Sequence, residues 1–198
     1  MSDSRIVDRI EGTAIPLRGN NIDTDRIIPA RYLKAVTFEG LGDHVFEDDR
    51  ASMPHHPFAN PRYRRASILL ANQNFGSGSS REHAPQALKR WGIHTCVAES
   101  FSEIFRGNSL AIGLPCFTAA APDVELAMRY VEDEPETRLT VSVSALTLQV
   151  ADKTLTLAMP EGTRDAFLSG RWDATGLLLE RFEDVRATAA GLPYINGF

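Results

Sequence analysis

Between Ser67 and Phe117 the chain alternates short apolar runs with helix-like stretches, and that alternation leaves few folds open. Ser67 to Ala71 (SILLA) and Ile93 to Ala98 (IHTCVA) read as buried strands, and Ala111 to Phe117 (AIGLPCF) leads into a third. A glycine-rich loop and a helical pattern from about Ser80 to Trp91 separate the first two, with Gly92 as the helix stop. Ser100 to Asn108 (SFSEIFRGN) reads as the start of a second helix. Strand–helix–strand–helix–strand at this spacing implies an α/β fold with a parallel βαβαβ core and right-handed crossovers.

The flanks are less regular. Gly12 to Arg18 (GTAIPLR) reads as a short strand that Pro16 marks as an edge or an end. In GNNIDTDRIIPARYLK, Asn20, Asn21, Asp23 and Thr24 are turn and cap formers, and Pro29 suits the first turn of a short helix running to about Lys34. Residues 38–66 are polar, hold three prolines and three histidines, and show no periodicity. A connection of that length is expected to be functional or mobile. Towards the C-terminus Leu139, Val141 and Val143 alternate with polar residues, and Leu146, Leu148 and Val150 resume the alternation after a one-residue slip. With Leu155 and Leu157 beyond a turn at Ala151–Lys153, this predicts an antiparallel hairpin with a bulge at the slip. Helical stretches are expected at Thr163–Leu168 and about Asp173–Ala189. Nothing repeats internally, and 198 residues favour one compact domain over residues 1–198, an α/β core with an antiparallel addition near 139–190.

Composition narrows the function. A net charge of −5 argues against non-specific nucleic-acid binding, while leaving room for a local basic pocket. No apolar run has the length of a membrane span, and the N-terminal segment lacks the apolar core of a signal peptide, so the cytoplasm is the expected compartment. Cys96 and Cys116 form no CxxC pair and predict neither a disulfide framework nor a cluster site. His55 and His56 are adjacent, lack further ligand spacing and are expected to be exposed, and no metal site is assigned to this chain.

The loop Asn74–Pro85 (NFGSGSSREHAP) carries the chemistry, and the residues alone allow several readings. Ser79 and Glu82 spell a capping box. Gly76 and Gly78, with Glu99 about 20 residues on, supply part of a dinucleotide fingerprint, but Arg81 stands where its third glycine belongs. Neither a Walker A loop nor a G-x-S-x-G elbow is present. An anion site with a reactive serine is the remaining reading: amides at a helix start favour negative charge, and Arg81 offers a planar fork for a carboxylate.

Asn74-Phe-Gly-Ser-Gly-Ser-Ser-Arg-Glu-His83 resembles the signature of the aconitase swivelling domain. Asn21-Ile-Asp-Thr-Asp-Arg-Ile-Ile-Pro29 is similar to the opening motif of isopropylmalate isomerase small subunits, and Phe101-Ser-Glu-Ile-Phe-Arg-Gly-Asn108 and Gly113-Leu-Pro115 match the continuation. The resemblance implies a three-layer β/β/α swivelling domain and a hydro-lyase that isomerises 2-isopropylmalate to 3-isopropylmalate through isopropylmaleate, in leucine synthesis. It implies a [4Fe–4S] cluster, held by a separate large subunit rather than by this chain, and a small dicarboxylate substrate. It carries the catalytic base to Ser79, substrate contacts to Ser80, Arg81, Thr24 and Asp25, and substrate selection to Tyr32, Leu33 and Lys34. The alternative within this resemblance is the small subunit of a related dehydratase acting on homoaconitate, citraconate or dimethylmaleate. A dinucleotide- or phosphate-binding module is the competing class.

Overall fold

The computed structural model describes residues 5–195. Its strands are β1 (Arg9–Leu17), β2 (Ile68–Ala71), β3 (Thr95–Ala98), β4 (Cys116–Thr118), β5 (Arg138–Ser142), β6 (Thr147–Val150) and β7 (Lys153–Thr156). The helices of the first part are α1 (Thr24–Ile27), α2 (Glu47–Ser52), α3 (His83–Trp91) and α4 (Glu103–Ala111). Those of the second are α5 (Ala121–Asp133), α6 (Glu161–Ser169), α7 (Ala174–Glu180) and α8 (Phe182–Ala190).

Among the described residues the strands form one seven-stranded sheet in the order β4-β3-β2-β1-β5-β6-β7. β1 to β4 run parallel, with α3 and α4 as crossovers, and β5 to β7 form an antiparallel meander. The mixed α/β sheet is the expected core with its antiparallel addition. All four residues of β2 and of β3 are buried. That is the pattern of strands covered on both faces, where each large aliphatic side chain contributes about 1.5–3 kcal/mol.

β1 joins the two halves, and here the expectation of an edge strand fails. Arg9–Thr13 pair antiparallel with β5, whereas Ala14–Leu17 pair in parallel with β2. The Thr13 carbonyl accepts from the Ser67 amide on the β2 side. Backbone alternation therefore turns Pro16 to the opposite side, where β5 has already ended. A proline is tolerated in this central strand because no ladder bond is lost there.

Other differences have equally local causes. The slip before Leu146 is a four-residue turn, 143–146, with Leu146 at φ 53°, and not a bulge. The short helix expected at Pro29 begins earlier: Asp23 caps α1 by accepting from the Arg26 amide at 2.8 Å, and a 3-10 turn, Ala30–Lys34, follows Pro29. The C-terminal helix is broken at Arg181 into α7 and α8. No element was expected at α5, yet Pro122 sits in its first turn and Val124, Ala127, Met128 and Val131 form a buried stripe at helical spacing.

The polar connection 38–66 is built rather than loose. It contains 3-10 turns at Leu41–His44, Pro57–Ala59 and Pro61–Tyr63 around α2, and it buries Leu41, Val45, Phe46, Phe58 and Tyr63. His56 is buried too, against the expectation for adjacent histidines. Its ring lies 5.0 Å from Phe46 and 5.9 Å from Phe58, and its Nδ1 accepts from the Phe58 amide. Burial pushes its pKa down to about 4. His55 is exposed as expected.

Candidate active site

The loops that leave the carboxyl ends of β1, β2 and β3 meet at one end of the sheet, where open α/β sheets place their ligands. Gly19 donates its amide to Asn72 Oδ1 and Asn21 to the Gln73 carbonyl, tying the β1 loop to the β2 loop. Phe75 donates to the Ser100 carbonyl and Ser102 returns a bond to Phe75, tying the β2 loop to the β3 loop. Asn21 and Asn74 both hold left-handed backbone, at φ 57° and 55°, and Asn74 Nδ2 donates to Asn21 Oδ1 at 2.9 Å. These two asparagines are site-shaping residues that sequence reasoning passed over beyond their turn chemistry. Asparagine tolerates this conformation better than most residues, so each sits where the chain must bend sharply.

The glycines are explained by close approach. A Cβ on Gly76 would lie 2.3 Å from the Phe105 ring of α4, so the loop is pressed against that helix. A Cβ on Gly78, which holds φ 90°, would lie 3.3 Å from the Asp23 Cβ. The chain thus runs along α1, with Thr24 donating its amide to the Ser77 carbonyl and its hydroxyl to the Ser79 carbonyl at 3.1 Å.

Five of the expected site residues lie on the loops that this geometry brings together. Thr24 is buried under Ser79 and fixes its backbone. Arg81 and Asp25 form an ion pair, the arginine side chain 17% exposed and the aspartate 49%. Ser79 and Ser80 are exposed, and neither hydroxyl is bonded to another described residue. Capping is not their role: α3 starts only at His83, its N-cap is Glu82, and the Glu82 carboxylate accepts from Gln86 Nε2. The amides of Ser79 to Glu82 donate to no backbone carbonyl among the described residues. The loop therefore combines amides without backbone acceptors and two exposed serines with a largely buried guanidinium held against Asp25.

The segment Tyr32–Lys34 is not joined to this constellation by any hydrogen bond. Tyr32 donates its hydroxyl to Glu47 and stacks on His44 at 4.0 Å, while Arg31 pairs with Glu47 and Asp48. The Glu47 bond raises the Tyr32 pKa, and the same bond lowers that of Glu47. Leu33 is half-buried and Lys34 exposed. Phe38 links the stretch to the site by meeting the His83 ring edge-on at 5.1 Å.

Glu99 accepts from Asn72 Nδ2 and braces the loops, so it is not free for a ribose. With both glycines engaged in packing, the dinucleotide reading has no geometric support. Cys96 and Cys116 are in-register neighbours on β3 and β4, both buried, and burial with the adjacent thiol raises the Cys96 pKa. No group of three or more His, Cys, Asp or Glu among the described residues is arranged to hold a metal ion, and these two thiols do not fit a cluster. No described helix is long and apolar enough to cross a membrane.

The family model of the aconitase C-terminal domain matches residues 4–120, a span that contains the three site loops. The chain is 44% identical over 191 residues to the 3-isopropylmalate dehydratase small subunit of Synechocystis, covering 96% of both proteins. It is 48% identical over 189 residues to the protein of the same name from Thermus thermophilus, covering 93% of this chain and 94% of that one. The chain belongs to the aconitase C-terminal domain family, among its 3-isopropylmalate dehydratase small subunits. The crystal structure of 3-isopropylmalate dehydratase from Methanocaldococcus jannaschii shares the fold, with a TM-score of 0.66 at 24% identity over 88% of this chain and 99% of that one.

Proposed function

We propose that this chain is the small subunit of a two-chain hydro-lyase that interconverts 2-isopropylmalate and 3-isopropylmalate through isopropylmaleate in leucine synthesis, in the cytoplasm. Its relatives carry the name small subunit, which implies a large one. The observation that carries the reading is the exposed, unpartnered Ser79 hydroxyl beside the Arg81–Asp25 pair.

In this reading Ser79 is the base. The unengaged amides of Ser79 to Glu82 and the Arg81 guanidinium favour negative charge on this stretch, which steadies a serine alkoxide. The alkoxide takes the proton from the carbon next to a substrate carboxylate as the hydroxyl leaves the neighbouring carbon. The Ser79 hydroxyl returns that proton during rehydration, when water adds at the other carbon. Arg81 holds a substrate carboxylate through its planar fork, Asp25 orients Arg81, Thr24 holds the Ser79 backbone, and Ser80 adds a hydroxyl donor. The [4Fe–4S] cluster implied by the resemblance belongs to the large subunit and supplies Lewis-acid assistance to hydroxyl departure. Tyr32, Leu33 and Lys34 flank the site and select the substrate's branched group once the two subunits close.

Reconstitution tests this. The chain alone is expected to show no turnover, and anaerobic addition of a cluster-loaded large subunit to restore it, with 3-isopropylmalate preferred over homoaconitate, citraconate and dimethylmaleate precursors. Turnover by the chain alone, or a preference for another member of that panel, contradicts the assignment.

A further inference from the structure

At the opposite end of α3 from Ser79, Arg90 and Trp91 form one wall of a cavity of ≈ 260 Å³. Arg50 from α2 and Arg64, just beyond the Pro61–Tyr63 turn, also line it, against a single carboxylate, Asp43. None of these three arginines forms an ion pair among the described residues, Asp43 included. Arg50 Nη2 donates to the Asp43 backbone carbonyl at 2.5 Å, and its Nε is buried without a hydrogen-bond partner. Arg90 is steadied by Gln86 and lies over the Phe38 ring at 5.3 Å.

The cavity is braced on both sides. A Cβ on Gly42 would fall 2.6 Å from the Arg90 and Trp91 backbone, so the Leu41–His44 turn is seated directly on α3. Phe58 and Trp91, 4.8 Å apart between ring centroids, supply an apolar surface beside the charges. Three arginines line one void, and a multiply charged oxyanion offsets their like charge while satisfying N–H donors such as the unpartnered Arg50 Nε. A buried guanidinium nitrogen left without an acceptor is costly unless a ligand completes it.

We propose that this cavity is an anion site for a phosphoryl group, free or as a monoester, with Arg50, Arg64 and Arg90 as its ligands. It lies apart from the Ser79 loop and takes a different class of ligand from the isomerised dicarboxylate. Trp91 and Phe58 supply a contact for the organic part of a monoester.

Calorimetric titration of the full chain with inorganic phosphate and with phenyl phosphate, each against chloride at matched ionic strength, tests it. One saturable site is expected, weakened about tenfold or more in Arg64→Gln and Arg50→Gln. Arg64 is exposed, so its variant keeps the test valid if Arg50→Gln misfolds. Tighter binding of phenyl phosphate identifies a monoester site, and equal binding a free-phosphate site. Heats no larger than chloride, or unchanged affinity in Arg64→Gln, overturn the proposal. The titration repeated on the complex with the large subunit also decides: a retained site supports the proposal, and a site lost on assembly overturns it and assigns the arginines to the subunit contact.

Discussion

Arg81 shows how a side chain that disqualifies one reading makes another. It stands where a dinucleotide loop needs a glycine, and the structure puts its guanidinium against Asp25 from α1 with 17% of the side chain exposed. A lysine keeps the charge there but loses the planar, bidentate geometry. Arg81→Lys in the assembled enzyme is expected to lower kcat/KM about 10- to 100-fold, mostly through KM, as loss of one charge-assisted carboxylate contact requires. Steady-state kinetics against 3-isopropylmalate checks this, and an unchanged KM would take Arg81 out of substrate binding. Ser79 and Ser80 differ from their neighbours in another way. Thr24, Asn21 and Asn74 close by hold loop to loop, while the two serines are exposed and their hydroxyls have no partner among the described residues.

The polar stretch between α1 and β2 carries the sharpest pH consequence. His56 is buried neutral against Phe46 and Phe58, with its pKa lowered from 6.5 to about 4. Below pH 6.5 the unfolded chain binds a proton at this residue and the folded chain does not, so stability falls as the pH drops towards 4, below which this group adds no further loss. Urea unfolding midpoints are expected to fall less steeply over that window in His56→Gln, which keeps an acceptor for the Phe58 amide and cannot titrate. Parallel slopes for the two proteins would contradict the assignment. The same stretch shows what the sequence concealed. Its core residues, Leu41, Val45, Phe46, Phe58 and Tyr63, are held by short 3-10 turns and follow no helical or strand period. The βαβαβ core was legible because SILLA and IHTCVA are continuous apolar runs bounded by loop chemistry. α5 was legible in principle through Val124, Ala127, Met128 and Val131, but its polar surround hid the stripe. Of the candidate site, Thr24, Asp25, Ser79, Ser80 and Arg81 were visible as motif positions. The bond between Asn21 and Asn74 depends on two left-handed residues 53 positions apart, which no local pattern reports.

The molecule gathers its loops through one strand that serves both halves of the sheet. β1 pairs with β5 over its first half and β2 over its second, and the loop after its second half lies against the β2 loop. The antiparallel half adds no residue to the serine loop's hydrogen bonds, which run to the β1 and β3 loops alone. Ser79 lies exposed on that assembled end, and in the proposed reaction the surface of the large subunit closes over it. Pairing a Ser79→Ala chain with a wild-type, cluster-loaded large subunit tests the central claim most directly. The account predicts normal association and near-normal substrate binding with turnover reduced at least about a thousandfold, as expected when a proton-transferring group is removed. Turnover within a few-fold of the wild-type enzyme, in a complex that assembles normally, would contradict it.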